Sequence, residues 1–535
     1  MSGFDLYDTT LRDGAQQEGL QLSVDDKLSI ARLLDELGVG FIEGGWPGAN
    51  PKDTLFFARA ATELSLQNAR LAAFGSTRRA GMRVDEDPQV AALLAAGTPV
   101  VTLVGKSHPR HVTDALHTTL EENLAMIADT VGYLVSAGRE VYLDAEHYFD
   151  GFGHDHGYPL EVVRVATQAG ATAVALCDTN GGMLPHDVET IVTETILATG
   201  ARVGIHAHND SGCAIANSIA AVRAGAMHLQ GTVNGYGERT GNADLIAVVT
   251  NLQLKLGMQL VTGDQLAGAH HVSHAVSEIT NIAPFERAPY VGSSAFAHKA
   301  GLHASALRVD PDLYQHIDPA LVGNRMRTLV SDMAGRASIE LKGRELGIDL
   351  AGHPELLTRV LNRVKELECA GWSFEAADAS FALLLHEALH GSPASLFEVQ
   401  SWRVVTAGEP DRGALCEADV VLQLAGGSAS AKGAGNGPIN ALDHALRAAL
   451  MPTFQQLKTF ELIDFRVRML DSQQGTDATA RVMIDTTDGE RTWTTVGVAP
   501  NLVHASWLAL VDSFTFGLLY PDTTTASMSY PAKAM

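Results

Sequence analysis

The sequence predicts an α/β protein: an eight-stranded (β/α)8 barrel, helical linker subdomains and a C-terminal α+β domain with an internal β-β-α repeat. Three observations lead to this prediction. The chain has 535 residues, whereas a single hydrophobic core seldom exceeds about 250–300 residues. Short apolar runs alternate with amphipathic stretches over residues 1–263, and two similar units follow one another after residue 395.

Residues 1–263 hold the pattern of the barrel. An amphipathic stretch at residues 23–37 opens with Ser23 and Asp26, which has the form of a capping box. Eight strands, each followed by a helix, are typical of a TIM barrel. An open, doubly wound sheet remains an alternative, because counting strands does not show closure. The candidate strands are residues 5–7, 41–43, 71–74, 100–104, 140–148, 173–178, 203–207 and 227–233.

Residues 264–395 lack this alternation and are rich in helical patterns, at 337–346, 354–369 and 373–389. We interpret them as linker subdomains. Residues 396–535 form the last predicted domain, in which Phe397-Glu398-Val399 matches Phe460-Glu461-Leu462 and Gly433 matches Gly497. Each unit reads strand, hairpin, helix, and a unit this small needs its twin to cover its sheet.

Charge and composition exclude several functions. The chain carries 38 basic and 62 acidic residues, a net charge of −24, which argues against nucleic acid or an anionic membrane as a partner. No apolar stretch is long enough, without a break, to predict a membrane span. Four scattered cysteines argue against a disulfide framework or a four-cysteine zinc site, so a cytoplasmic location is expected.

His206 and His208 lie at the end of the seventh predicted strand. Residues two apart on a strand share a face, so both imidazoles can point at one metal ion. A purely structural role for this pair is the alternative.

Arg12 and Asp13 follow the first predicted strand. Strands one and seven end at the same face of a barrel, so Asp13 can complete a metal site with the two histidines. The alternative is an Arg–Asp surface pair. Glu43 ends the second strand, where it either braces Arg12 or acts on the substrate.

A glycine-rich loop, residues 235–242, follows the eighth predicted strand. Glycines at Gly235, Gly237 and Gly241 let a backbone approach a ligand closely. Glu146 and Thr179 also fall at or just beyond the carboxyl ends of predicted strands. All these motifs therefore gather at one rim of the predicted barrel.

The motifs together resemble the family of 2-isopropylmalate, homocitrate and citramalate synthases, metal-dependent acyltransferases built on a TIM barrel. The resemblance rests on the segments Asp8-Thr9-Thr10-Leu11-Arg12-Asp13-Gly14, His206-Ala207-His208-Asn209-Asp210 and Gly237-Glu238-Arg239-Thr240-Gly241-Asn242. It extends to Phe296-Ala297-His298-Lys299-Ala300-Gly301-Leu302-His303 and to the segment that begins at Tyr314. The repeated tail looks like the family's allosteric domain, so the resemblance covers almost the whole chain.

The resemblance implies a role for each matching residue. Arg12 would lie beside the keto oxygen of the substrate, and Thr179 would bind its carboxylate. Glu146, His303 and Tyr314 would be the acid–base groups, and the loop with Gly235, Gly237 and Gly241 would lie near acetyl-CoA. The implied ligands of a divalent ion (Mn²⁺, Mg²⁺, Co²⁺ or Zn²⁺) are Asp13, His206, His208 and Asn242.

The segments around Val104 and Glu146 look most like those of family members that accept pyruvate. The expected reaction therefore joins pyruvate and acetyl-CoA, with Tyr148 and the Val104 region as candidate fillings of the keto-acid pocket. One alternative acceptor is 2-ketoisovalerate, and a metal-dependent aldol-type lyase is a second alternative.

The resemblance further implies a homodimer held together by the tail. Isoleucine is the expected effector, bound at the seam of the two repeated units. We expect backbone donors for it from glycine-rich turns at 433–437 and Gly497.

Overall fold

A computed structural model of the chain describes residues 3–350, 352–393, 396–409, 413–470 and 478–521. The chain divides into two compact units. The first comprises Met1–Phe296 and Ile317–Arg325, and the second comprises Ala297–His316 and Met326–Met535. The predicted boundary at Ser395 lies outside the described residues.

The first unit contains a closed barrel of eight parallel strands in sequence order. The first strand pairs with the eighth, with Asp5 opposite His228, so the open-sheet alternative is wrong. The strands are β1 (Asp5–Asp8), β2 (Phe41–Glu43), β3 (Arg70–Ser76), β4 (Val100–Lys106), β5 (Glu140–Glu146), β6 (Ala173–Asp178), β7 (Val203–Ala207) and β8 (His228–Gly231).

Helices connect the strands and cover the barrel. The predicted capping box is present: Asp26 N–H donates to the Ser23 hydroxyl oxygen, and the Asp26 carboxylate accepts from the Ser23 backbone. The helices of this unit are α1 (Val24–Leu37), α2 (Pro51–Glu63), α3 (Pro88–Ala95), α4 (Leu120–Ser136), α5 (Tyr148–His154), α6 (Gly157–Gln168), α7 (Pro185–Thr199), α8 (Ala214–Arg223), α9 (Leu245–Leu254), α10 (Gly263–Ala267) and α11 (Ala269–Thr280).

The fifth strand is shorter than predicted. β5 ends at Glu146, because His147 has a left-handed backbone (φ 58°) and Tyr148 begins α5. Tyr148 is fully buried, and its hydroxyl lies 2.7 Å from the Thr195 hydroxyl of α7. The expectation that Tyr148 fills the keto-acid pocket is therefore wrong.

The second unit begins with short elements and helices and continues with two β-β-β-α units. Its first elements are β9 (Ala297–His298), α12 (Gly301–Leu307), β10 (Arg327–Thr328), α13 (Arg336–Glu345), α14 (Pro354–Cys369) and α15 (Asp378–His390). The repeated units are β11 (Phe397–Glu409), β12 (Gly413–Leu424), β13 (Gly427–Gly435) and α16 (Pro438–Leu450), then β14 (Glu461–Met469), β15 (Ala480–Thr487), β16 (Thr492–Ala499) and α17 (Leu502–Leu519).

The predicted repeat is confirmed. Each unit is a three-stranded antiparallel sheet in sequence order, followed by one helix. Even the irregularities match, since the first strand of each unit shifts register at equivalent positions, between Val399 and Ser401 and between Leu462 and Asp464.

Gly433 and Gly497 do not lie in turns, as the sequence suggested. They are inside β13 and β16. A Cβ atom on Gly433 would collide with the backbone of Ala441 and Ala445, and one on Gly497 with the carbonyl oxygen of Ala505. These glycines allow the helix of each unit to lie close against its sheet, so the expectation that they offer turn donors to a ligand is wrong.

We expect Gly497→Ala to destabilise the protein by about 1–3 kcal/mol, because the added methyl group forces α17 away from β16. Chemical denaturation followed by circular dichroism measures this change. Gly408→Ala is the matched control, since Gly408 also lies in a strand but a Cβ atom there meets nothing within 4 Å. Equal stability of the two variants would contradict the packing explanation.

Among the described residues, α17 is the single helix that is long and apolar enough to cross a membrane by length and composition. Its side chains pack within the second unit, where Leu510 and Phe514 are fully buried. Burial of this kind is typical of a core helix.

Candidate metal centre and active site

Four side chains predicted as metal ligands meet at the carboxyl ends of the barrel strands. Asp13 Oδ2 lies 3.1 Å from His206 Nε2 and 3.4 Å from His208 Nε2. The Asn242 side-chain amide donates to the same oxygen at 2.6 Å. Their placement follows from topology, because β1 and β7 lead to one rim and an isolated bridge pairs His208 with Asn242.

The donor set suits a divalent cation. Candidate ligand atoms of Asp13, His206 and His208 all lie within 4.8 Å of one another. Asn242 Oδ1 is buried and has no hydrogen-bond partner. Turning this amide over would point Oδ1 at the other three residues as a fourth candidate ligand, and Oδ1 would lose no hydrogen bond. Two imidazole nitrogens, a carboxylate and an amide oxygen fit Mn²⁺, Co²⁺, Zn²⁺ or Mg²⁺.

The surroundings of Asp13 favour its ionised form. Burial acts to raise the pKa of Asp13, but the charge of Arg12 and the hydrogen bonds of His206 and His208 outweigh burial and hold it well below its usual range. Burial lowers the pKa of His208, which favours the neutral imidazole that a metal requires.

Arg12 is fixed from three sides. Its Nε donates to Glu43 at 2.5 Å, its Nη1 donates to Asp13 at 2.9 Å, and its guanidinium lies 3.9 Å from the ring centre of Phe74. Glu43 is fully buried, and its other oxygen accepts from the Tyr7 hydroxyl at 2.8 Å. These contacts favour the bracing role of Glu43 over direct contact with a substrate.

Glu146 forms an ion pair with Lys106, a residue that the motifs did not single out. The two residues occupy the last positions of β5 and β4 and lie in register. Their side chains are 25% and 23% exposed, so the pair faces an accessible part of the rim. The Ser107 hydroxyl donates to the Glu146 carbonyl oxygen at 2.6 Å and joins the two strand ends.

Thr179 is oriented by His147, the first residue after β5. Its hydroxyl oxygen accepts from the backbone N–H of His147 at 2.8 Å, so its own proton remains available to donate. Arg239 donates to the Thr179 carbonyl oxygen at 2.9 Å and to both carboxylate oxygens of Asp210. Arg239 thereby ties together the loops after β6, β7 and β8, a role that the motif alone did not reveal.

The glycine-rich loop needs its glycines. Gly235, Gly237 and Gly241 all have positive φ, and a Cβ atom on Gly241 would collide with the Gly235 carbonyl oxygen. All three line a cavity of about 550 Å³, whose wall also includes Asn242 and the exposed Phe285. The loop therefore offers backbone to a ligand beside the proposed metal ligand Asn242.

His303 and Tyr314 belong to the second unit. Their rings are stacked with centres 4.2 Å apart. Tyr314 is 41% exposed, which leaves this imidazole–phenol pair accessible from outside its unit.

Family models match most of the chain, in three consecutive segments. The HMGL-like family model matches residues 3–278, the homocitrate synthase post-HMGL domain-like model residues 290–371, and the LeuA allosteric (dimerisation) domain residues 375–517.

Individual relatives are similar over nearly their full length. An (R)-citramalate synthase of Streptomyces coelicolor is 58% identical, covering 96% of this chain and 97% of the relative. One of Aquifex aeolicus is 49% identical with the same coverage. A probable 2-isopropylmalate synthase of Methanopyrus kandleri is 33% identical, covering 95% of this chain and 96% of the relative.

Proposed function

Because the chain belongs to the HMGL-like family and is grouped there with the (R)-citramalate synthases, we infer that it condenses pyruvate with acetyl-CoA. Water then releases (R)-citramalate and CoA. The observation that carries this function is the 58% identity to one (R)-citramalate synthase over 96% of the chain. The chain is thus an acetyl-CoA-using transferase of amino-acid biosynthesis, and we place it in the isoleucine branch.

We propose that Asp13, His206, His208 and Asn242 hold a divalent cation. A cation held by these residues would supply Lewis-acid polarisation of the keto group of a 2-keto acid. The metal remains open among Mn²⁺, Mg²⁺, Co²⁺ and Zn²⁺, since the mixed nitrogen and oxygen ligands suit each of them.

Arg12 and Thr179 orient the keto acid. The guanidinium of Arg12 is held beside Asp13 and stabilises the negative charge that develops on the keto oxygen. The Thr179 hydroxyl, which accepts from His147 N–H, uses its own proton to donate to the pyruvate carboxylate.

The acid–base steps need two groups. Glu146 takes a proton from the methyl group of acetyl-CoA, and the resulting carbanion forms a bond to the keto carbon of pyruvate. The C=O electron pair moves to the keto oxygen beside Arg12, and this oxygen takes up one proton, which balances the proton removed by Glu146, to become the hydroxyl group of the product. His303 and Tyr314 then assist the attack of water on the thioester, which releases CoA. Support comes from the rim position of Glu146 and from the stacked pair in the second unit.

Acetyl-CoA is proposed to bind along Gly235, Gly237 and Gly241. The cavity that these residues line has polar backbone on one side and includes Phe285, which suits the amide and apolar parts of a pantetheine arm.

A panel of keto acids tests the acceptor. We expect kcat/KM for pyruvate to exceed that for 2-ketoisovalerate by about 30-fold or more, since 2-ketoisovalerate carries two extra carbons and each is worth about 1–3 kcal/mol in a fitted pocket. Release of free CoA with saturating Mn²⁺ gives both values. A preference for 2-ketoisovalerate would instead favour a 2-isopropylmalate synthase, the name carried by the Methanopyrus kandleri relative.

The organisation of the whole chain is part of the proposal. We propose a catalytic domain at residues 1–263, linker subdomains at 264–395, and a regulatory domain at 396–535 that forms a homodimer, as the match to the LeuA allosteric (dimerisation) domain supports. The four cysteines are unpaired, which supports a cytoplasmic location.

We also propose isoleucine as the effector of the regulatory domain, with millimolar isoleucine lowering activity between about 5- and 150-fold, the usual range of coupling between two sites. Steady-state rates of the full-length enzyme with increasing isoleucine measure the effect. Leucine at the same concentrations is the control. Unchanged kinetics with isoleucine would contradict the proposal, and inhibition by leucine alone would favour the 2-isopropylmalate alternative.

A further inference from the structure

Gln230 on β8 lies in the barrel interior directly beneath the proposed metal ligands. Its side chain is 1% exposed. Its Oε1 lies 2.6 Å from His206 Nδ1, and its Nε2 lies 2.7 Å from Asp144 Oδ1 and 3.1 Å from His228 Nε2. The amide thus contacts one proposed metal ligand and two other buried polar groups.

The donors and acceptors around Gln230 fit in one consistent arrangement. The Gln230 amide nitrogen donates an N–H to Asp144 Oδ1. The amide oxygen then faces His206, whose Nδ1 must carry the proton. Because Nδ1 keeps its proton against the amide oxygen, Nε2, which faces Asp13, is the nitrogen of His206 that would bind a cation. The reversed amide would instead donate to His206 Nδ1 and leave the imidazole proton on Nε2, the nitrogen that faces Asp13.

His228 supports the same arrangement. It accepts the second amide proton of Gln230 at Nε2, so its own proton lies on Nδ1. That nitrogen lies 3.6 Å from Asp5 Oδ2 at the opposite end of the barrel. Both N–H groups and the oxygen of Gln230 are therefore used, and the amide has no reason to turn over.

The second imidazole of the site lacks such a partner. His208 Nδ1 lies 2.7 Å from Arg239 Nη2, and a guanidinium donates but does not accept. Of the two histidines, His206 is therefore the one with a hydrogen-bond acceptor at Nδ1, whereas His208 would bind a cation through Nε2 only after Arg239 stops donating to its Nδ1.

We propose that Gln230, held by Asp144, is a positioning residue that sets the tautomer and ring orientation of His206 for binding a divalent cation. This inference rests on the proposed metal site. Partners of this kind behind a ligating histidine change metal affinity by about 10- to 100-fold.

The test compares Mn²⁺ dissociation constants by isothermal titration calorimetry on the full-length protein. We expect Gln230→Met to bind Mn²⁺ about 10- to 100-fold more weakly, while kcat at saturating Mn²⁺ stays near that of the wild type. Gln253→Met is the matched control, because Gln253 on α9 bonds to the backbone of Leu260 and Val261. Its Mn²⁺ affinity should be unchanged.

A paired exchange tests the hydrogen-bond pattern itself. In the double variant Gln230→Glu with Asp144→Asn, the new carboxylate at 230 still accepts from His206 and also accepts from the new amide at 144. His228 then donates to this carboxylate from Nε2 in its other tautomer, so Mn²⁺ affinity should recover to within about threefold of the wild type. Wild-type affinity in Gln230→Met, or a folded double variant as weak as Gln230→Met, would overturn the inference. If the wild type bound Mn²⁺ no better than Asp13→Ala, the proposed metal site on which this inference rests would be wrong instead.

Discussion

Asp13→Ala is expected to lower turnover by about 1,000-fold or more at any practical metal concentration. The Asp13 carboxylate lies within 3.4 Å of both imidazole nitrogens and accepts from Asn242, so its loss removes the anion around which the other ligands gather. Polarisation of the keto group by a bound cation is worth several kcal/mol in the transition state, and about 1.4 kcal/mol corresponds to tenfold in rate.

Release of CoA with pyruvate and Mn²⁺ measures the turnover of the variant, and calorimetry measures its affinity for Mn²⁺. Asp114→Ala is the control, since Asp114 is an exposed residue that pairs with Arg110. Full recovery of activity with excess metal would show that Asp13 affects affinity alone. Activity of the wild type in the absence of any divalent metal would contradict the metal centre.

The barrel and the positions of the proposed metal ligands were predictable because their signals are local. The period of apolar residues marks each strand, and the capping box at Ser23 marks the start of α1. In a barrel of parallel strands the carboxyl ends share one rim. Residues at or beyond the carboxyl ends of β1, β7 and β8 therefore had to meet, and the structure places Asp13, His206 and Asn242 together.

Other features depend on contacts that no short motif encodes. The pair of Lys106 with Glu146 follows from the register of β4 against β5, which a strand prediction does not supply. Gln230 lies inside the barrel, and its importance shows only through its neighbours. Gly497 allows α17 to lie close against β16. This is a tertiary contact, and from the sequence alone the glycine was interpreted as part of a turn.

The left-handed backbone of His147 is a further example. It ends β5 two residues before the predicted end and directs the His147 N–H to the Thr179 hydroxyl. Non-glycine residues seldom adopt this conformation, so no sequence pattern predicted it. The local geometry at the end of β5 thus determines how Thr179 is presented.

Glu146→Gln is expected to lower kcat by about 100- to 10,000-fold, the usual contribution of a general base, with the KM for pyruvate changed only a few-fold. The amide cannot take the methyl proton of acetyl-CoA, whereas Arg12 and Thr179 still hold the keto acid. The control is Glu140→Gln, because Glu140 begins the same strand and pairs with Arg70 at the opposite end of the barrel. Its kcat should match the wild type.

Exchange of the acetyl-CoA methyl protons in deuterium oxide separates the two acid–base groups. Measured by NMR with a non-reacting pyruvate analogue bound, exchange should disappear in Glu146→Gln. It should persist in His303→Ala, whose defect lies in the later hydrolysis of the thioester. Glu146 is paired with Lys106. To act as the base, its carboxylate must either break this ion pair or use its second oxygen to take the methyl proton. Undiminished exchange in Glu146→Gln would therefore assign Glu146 to holding Lys106 and would move the base elsewhere on the rim.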